Sequence, residues 1–196
     1  GDAPAEMVDH AVGYADYILE QVRSDDAVVL LEQRVDVSPW VPGGFGTCDC
    51  VVLQGDTMDV IDYKYGKGVT VDAEGNEQLS LYGLGALNDF GIAYDVETVR
   101  LHIYQPRLHH VSVWALSAAD LLAWGERVKT VAALAARGGG DYRAGDWCKF
   151  CPHAGECREL TRECTIFVEG HEVHVAVPVL SGHEVAEVLR REPLVT

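Results

Sequence analysis

Hydrophobic positions recur at two different periods along this chain, and the switches between them mark its elements. Over residues 5–23 Met7, Val8, Ala11, Tyr14, Ala15, Ile18, Leu19 and Val22 return every three or four positions, which predicts a helix. Residues 28–37 are β-branched and extended, and Pro39, Pro42, Gly43 and Gly44 close them with a turn. Two further strands are predicted at 47–54 and 58–65, joined through Gly55-Asp56-Thr57 as a hairpin. A polar stretch leads into a helix over 76–90, and strands resume at 96–105 and 111–115 around Pro106. Ser117 then caps an alanine-rich helix over 118–137, with Asp120 as the acid of a capping box.

Gly138, Gly139 and Gly140 end that helix and mark the expected boundary. Residues 1–140 form the expected core, 141–164 a cysteine-rich module, and 165–196 a tail with a hairpin (165–179) and a short helix (183–191). Helix, three strands, helix, two strands, helix: this order predicts an α/β fold, a mixed central β-sheet flanked by helices. No apolar run approaches the roughly 18 residues that span a bilayer, and no signal-peptide pattern opens the sequence. The expectation is a cytoplasmic protein that does not enter membranes.

Charge complicates the picture. The formal net charge is −16, with 31 acidic against 15 basic residues. Proteins that coat nucleic acid nonspecifically use Lys and Arg at the phosphates, so that class is disfavoured. A nuclease with a locally basic surface and metal ions at the scissile phosphate remains compatible. The imbalance also fits adaptation to a halophilic or high-GC host.

The chemistry concentrates in Gly46-Thr47-Cys48-Asp49-Cys50 and Ile61-Asp62-Tyr63-Lys64. Residues two apart on a strand share a face, so Asp62 and Lys64 point the same way, and Asp49 on the paired strand can reach them. Two carboxylates offer hard oxygens to Mg²⁺ or Mn²⁺, and an ammonium can orient water and offset developing negative charge. Asp-x-Lys alone is also what a salt-bridged strand pair looks like. Gln78 and Tyr82, four apart on the next helix, add a second polar pair on one face.

Together, Glu32, Gly46-x-x-Asp49, Asp62-x-Lys64 and Gln78-x-x-x-Tyr82 resemble the RecB-like branch of the PD-(D/E)xK nuclease superfamily over roughly residues 28–160. More narrowly, Asp62-Tyr63-Lys64-Tyr65-Gly66-Lys67-Gly68-Val69 and Tyr104-Gln105-Pro106-Arg107 look like a phage- and prophage-encoded family of inferred nucleases in that branch. The resemblance implies a restriction-endonuclease-like core and a Mg²⁺- or Mn²⁺-dependent deoxyribonuclease, an exonuclease acting in phage recombination or DNA processing. DNA is its implied partner, along with a phage recombination protein. It implies metal ligation by Asp49 and Asp62 with assistance from Glu32, catalysis by Lys64, and a supporting, DNA-contacting role for Gln78 and Tyr82. Relatives carry a metal-site histidine upstream of the first strand. Here His10 is the histidine upstream, and a residue outside this sequence is the alternative.

Cys148, Cys151 and Cys157 have the spacing C-x2-C-x5-C, which suits zinc or an iron–sulfur cluster, with Trp147 and Phe150 expected to shield it. RecB-like nucleases with an iron–sulfur staple have a similar triplet, which implies a 4Fe–4S cluster, with Zn²⁺ as the alternative. The fourth ligand is then Cys164 or a cysteine outside this sequence. Such a cluster is expected to be structural: losing Cys151 costs the fold, whereas losing Lys64 costs cleavage but little stability. Cys48 and Cys50 are expected in the core, on the strand face opposite Asp49.

Lys67, Arg107 and Arg143 are candidate phosphate contacts, and His102, His109 and His110 read as residues of a strand–turn–strand. No P-loop is present in the sequence, which excludes ATP-driven helicase activity from it. Two rival functions stay open: a catalytically inactive nuclease-fold subunit, and a cysteine-rich metal-binding interaction module.

Overall fold

A computed structural model describes residues 4–138, 140–162 and 182–183. The chain divides at Gly138 into two units. In the first, helix α1 (Ala5–Gln21) precedes β1 (Val28–Asp36), β2 (Phe45–Gln54) and β3 (Thr57–Tyr63). Helix α2 (Glu77–Phe90), β4 (Thr98–Gln105), β5 (His110–Ser117) and α3 (Ala118–Arg137) follow. The strands form one five-stranded mixed sheet in the order β1-β2-β3-β4-β5, so the predicted α/β fold, a mixed sheet flanked by helices, is what the chain adopts. Only β3 and β4 run parallel, and α2 is the crossover that parallel pairing requires.

Each boundary has a local cause. Gln54 pairs with Thr57, leaving Gly55 and Asp56 as the two-residue turn, with Gly55 at φ +54°. The Asn76 side chain accepts the Leu79 N–H at 3.0 Å and starts α2. Ser117 Oγ accepts the Asp120 N–H at 3.0 Å and starts α3 at the predicted residue.

Both faces of the sheet are covered. On one, α2 and α3 bury Leu79, Leu84, Leu87 and Leu121 against Val35, Val51, Leu53, Met58, Val60, Val99, Leu101 and Ile103. Close approach here depends on Gly85, where a Cβ would lie 2.7 Å from Val35 Cγ2. On the other face α1 lays Ile18, Tyr14 and Tyr17 over Cys50, Val52 and Ile61.

One expectation fails. Cys48 and Cys50 are both fully buried, but Cys48 packs on the α2 side and Cys50 on the α1 side. They do not share a face opposite Asp49. The ladder is irregular at this level: between the rungs Leu31–Cys50 and Gln33–Cys48, Glu32 on β1 has φ +49°.

In the second unit, Cys148 lies in the 3-10 turn Asp146–Phe150, which Cys151 follows, and Cys157 follows a second such turn, Ala154–Glu156. Cys148 and Cys157 are half-buried and Cys151 is exposed. Trp147 and Phe150 are 66% and 89% exposed, so they do not shield the thiols as expected. Cys164 and both tail elements lie outside the described residues. Among the described residues no helix is long and apolar enough to cross a membrane.

Candidate functional site

The site forms where two strands part. β2 and β3 stay paired only as far as Cys50–Ile61. Beyond that rung β2 continues against β1 and β3 against β4. Asp49 and Asp62 are the first residue of each strand past the fork. The Tyr63 N–H, which faces the opening, donates to Asp49 Oδ2 at 2.7 Å. The Lys64 N–H donates to Tyr104 O at 2.9 Å, so the backbone beneath the lysine is tied to β4.

From Asp62 a polar chain runs into α2. Lys64 Nζ lies 2.9 Å from Asp62 Oδ2 and donates to Gln78 Oε1 at 3.2 Å. Gln78 Nε2 donates to the Tyr82 hydroxyl at 2.9 Å. The strand motif and the helix motif, read separately in the sequence, are therefore one connected set of side chains. Gly46 makes room for its far end: a Cβ there would lie 2.7 Å from the Tyr82 ring.

The electrostatics favour a cation. The Asp62 side chain is 9% exposed, and its buried Oδ2 makes the ion pair with Lys64 without a hydrogen bond of good geometry. Burial lifts the Asp49 carboxyl above the ordinary range. The Tyr63 N–H opposes this, the charges of Asp62 and Glu32 add to it, and Lys64 again opposes it. Glu32 is exposed, and its charge reaches Asp49 across the β1–β2 ladder.

Among the described residues no three His, Cys, Asp or Glu side chains converge into a ready metal cage. That holds for Glu32, Asp49 and Asp62, and for Cys148, Cys151 and Cys157. For a hard cation such as Mg²⁺ the acidic pair still fits, because such ions take one or two carboxylates and complete their shell with water and phosphate oxygens. The described thiols, as they stand, do not make a cluster-holding set.

Other candidates fall elsewhere. His10 Nδ1 meets the Tyr65 hydroxyl at 3.5 Å. Lys67 is exposed beyond β3. Arg107 lies over the Tyr65 ring at 4.9 Å. Arg143 is exposed in the second unit, where its carbonyl accepts the Trp147 indole N–H. His102 is fully buried, whereas His110 contacts Val71 O and Asp72 at the surface. The sequence reading missed the tyrosines around the fork: Tyr63 and Tyr104 stack at 6.1 Å, and Tyr14 packs on Tyr63 at 4.8 Å. The alternation of Tyr63 and Tyr65 with Asp62 and Lys64 was the available signal.

One solved structure that the chain resembles is titled "Crystal structure of SSO0001". The two are 16% identical over 80% of this chain and 72% of that one, with a TM-score of 0.36, too low to carry a fold assignment. The family described as "Protein of unknown function (DUF2800)" matches residues 3–196, nearly the whole length, and the chain belongs to that family.

Proposed function

We propose that this protein is a divalent-metal-dependent DNA nuclease of the PD-(D/E)xK type, with a RecB-like site on a restriction-endonuclease-like core. The observation that carries the proposal is the unbroken series Asp62–Lys64–Gln78–Tyr82, beginning at the fork that Asp49 lines. A salt-bridged strand pair needs no continuation into a helix, and this one has it.

Asp49 and Asp62 would hold Mg²⁺ or Mn²⁺, with Glu32 near enough to add charge. A bound cation would neutralise phosphoryl oxygens and lower the pKa of the attacking water. Lys64 is the positioning and proton-handling group. Its ammonium, held between Asp62 and Gln78, can orient water toward phosphorus and offset charge on the phosphoryl oxygens. Gln78 fixes that ammonium, and Tyr82 fixes Gln78. The net charge of −16 then makes metal the main source of positive potential at the site. An exonuclease acting on DNA ends in phage recombination or DNA processing is the specific form we favour, from the motif resemblance.

A second reading, a nuclease-fold subunit without catalysis, draws on the strong acidity and on the lack of a three-ligand cage among the described residues. End-labelled duplex and single-stranded DNA incubated with Mn²⁺ separates the two. Wild type cleaves and Lys64→Ala loses at least about 100-fold in rate, the scale of a lost general acid–base group. No metal-dependent cleavage by wild type, or equal cleavage by both proteins, refutes the nuclease.

A further inference from the structure

Toward the opposite end of β3, about 17 Å along the strand from Lys64, lies a second concentration of charge. Asp59 is fully buried. Its Oδ2 receives Arg23 Nη2 at 3.2 Å, and its Oδ1 receives Arg100 Nε at 3.0 Å and His102 Nε2 at 2.9 Å. The Tyr17 hydroxyl meets His102 Nδ1 at 2.7 Å, and Arg100 Nη2 donates to Gln21 Oε1 at 2.7 Å. The Arg23 N–H donates to Gln54 Oε1 at 2.7 Å, which fixes the base of that side chain.

Beside this network opens a cavity of about 310 Å³ lined by Arg23, Ser24, Gln54, Gly55, Thr57 and Arg100. No carboxylate lines it. One guanidinium would neutralise Asp59, and two are present. Arg23 and Arg100 thus face the single buried carboxylate of Asp59, in a chain of net charge −16. The rim hydroxyls of Ser24 and Thr57 are taken by Asp26 and Asp56, so the donors open to a ligand are the guanidinium edges that Asp59 and Gln21 leave free. A buried carboxylate and a glutamine hold those edges in place beforehand, which lowers the ordering cost of binding. Planar guanidinium forks match tetrahedral oxyanions better than any other side chain.

We propose that this cavity binds a phosphate group, through Arg23 and Arg100 held by Asp59. The site is independent of the nuclease assignment. It shares no residue with Asp49, Asp62 or Lys64.

The test is titration of the full chain with inorganic phosphate in metal-free, chelator-containing buffer, followed by ³¹P NMR or calorimetry. Arg23→Gln removes one fork while Arg100 and His102 stay on Asp59. Thr57→Glu places a charge at the rim without touching any Asp59 contact. Expected are saturable binding by wild type and affinity at least about tenfold weaker in each variant, the scale of one charged hydrogen bond. Circular dichroism of the variants should match wild type. If Arg23→Gln fails to fold, Thr57→Glu decides. A wild type that shows no saturation, or a folded Thr57→Glu that binds as wild type does, overturns the proposal, including the case in which phosphate binds only near Lys64. Dimethyl phosphate as a second probe identifies the source: binding equal to inorganic phosphate points to internal phosphodiesters, and binding of inorganic phosphate alone points to terminal or free phosphate.

Discussion

Replacing Lys64 by alanine removes the only cation that contacts Asp62 among the described residues, and the stability of the metal-free protein should register it. The Asp62 side chain is 9% exposed and that of Lys64 26%. Breaking a fully buried pair by deleting one partner costs about 3–5 kcal/mol, because an uncompensated charge stays behind. Lys64 retains some water, so we expect about 2 kcal/mol for Lys64→Ala, below that range and within the cost of an unsatisfied buried group. For a unit of this size that corresponds to a melting temperature about 6 °C lower. The expectation that losing Lys64 spares stability is thereby revised. Two controls isolate the cause. Asp62→Asn in the Lys64→Ala background should recover most of the loss, since an amide tolerates the site better than a lone carboxylate. Millimolar Mg²⁺ should stabilise Lys64→Ala more than wild type, because the freed carboxylate no longer has an internal competitor. Thermal and denaturant unfolding, in chelator and separately in millimolar Mg²⁺, measure all three proteins. A loss under about 0.5 kcal/mol, the scatter of ordinary surface substitutions, or a double variant as unstable as Lys64→Ala, would refute the reasoning.

Four further outcomes are expected. The raised Asp49 pKa means that the folded state holds its proton more tightly than the unfolded chain does. Its contribution is present below the ordinary value of 3.8 and is lost as pH rises through the raised folded value, so unfolding of metal-free protein across this window should show a decline that Asp49→Asn abolishes. Gly46→Ala forces a methyl group against the Tyr82 ring and should cost about 1–3 kcal/mol by overpacking, while disturbing the Gln78–Tyr82 contact; unfolding and cleavage assays should fall together. Cys48 and Cys50, buried with thiols pushed up to about 12, should resist iodoacetamide in the native state while the exposed Cys151 reacts first. Peptide mapping checks this. If the C-x2-C-x5-C segment gathers around a metal on loading, zinc or iron–sulfur reconstitution should protect Cys148, Cys151 and Cys157 together, and unchanged alkylation would remove the sulfur-ligated site.

Local regularities made most of this molecule legible before any coordinates. Ser117 and the apolar spacing behind it placed α3 at its observed start, and alternation with β-branching placed the five strands to within a few residues. Asp62 and Lys64 share a face because a strand repeats every two residues, so that part of the site follows from spacing alone. What spacing could not supply was any relation between residues far apart in sequence. The fork between β2 and β3, the burial of Cys48 and Cys50 on different faces, and the Lys64–Gln78 contact all depend on strand order and on how closely α2 approaches the sheet. The Asp59 network is the clearest case. Arg23, Asp59, Arg100 and His102 are unremarkable polar residues along the chain, scattered over α1's end, β3 and β4. They become a charged cavity only because parallel pairing sets β4 beside β3 with Asp59 opposite Arg100. Local sequence carries the dihedral and burial preferences that build elements. Convergence of distant side chains is a property of their packing, and there tertiary structure alone decides.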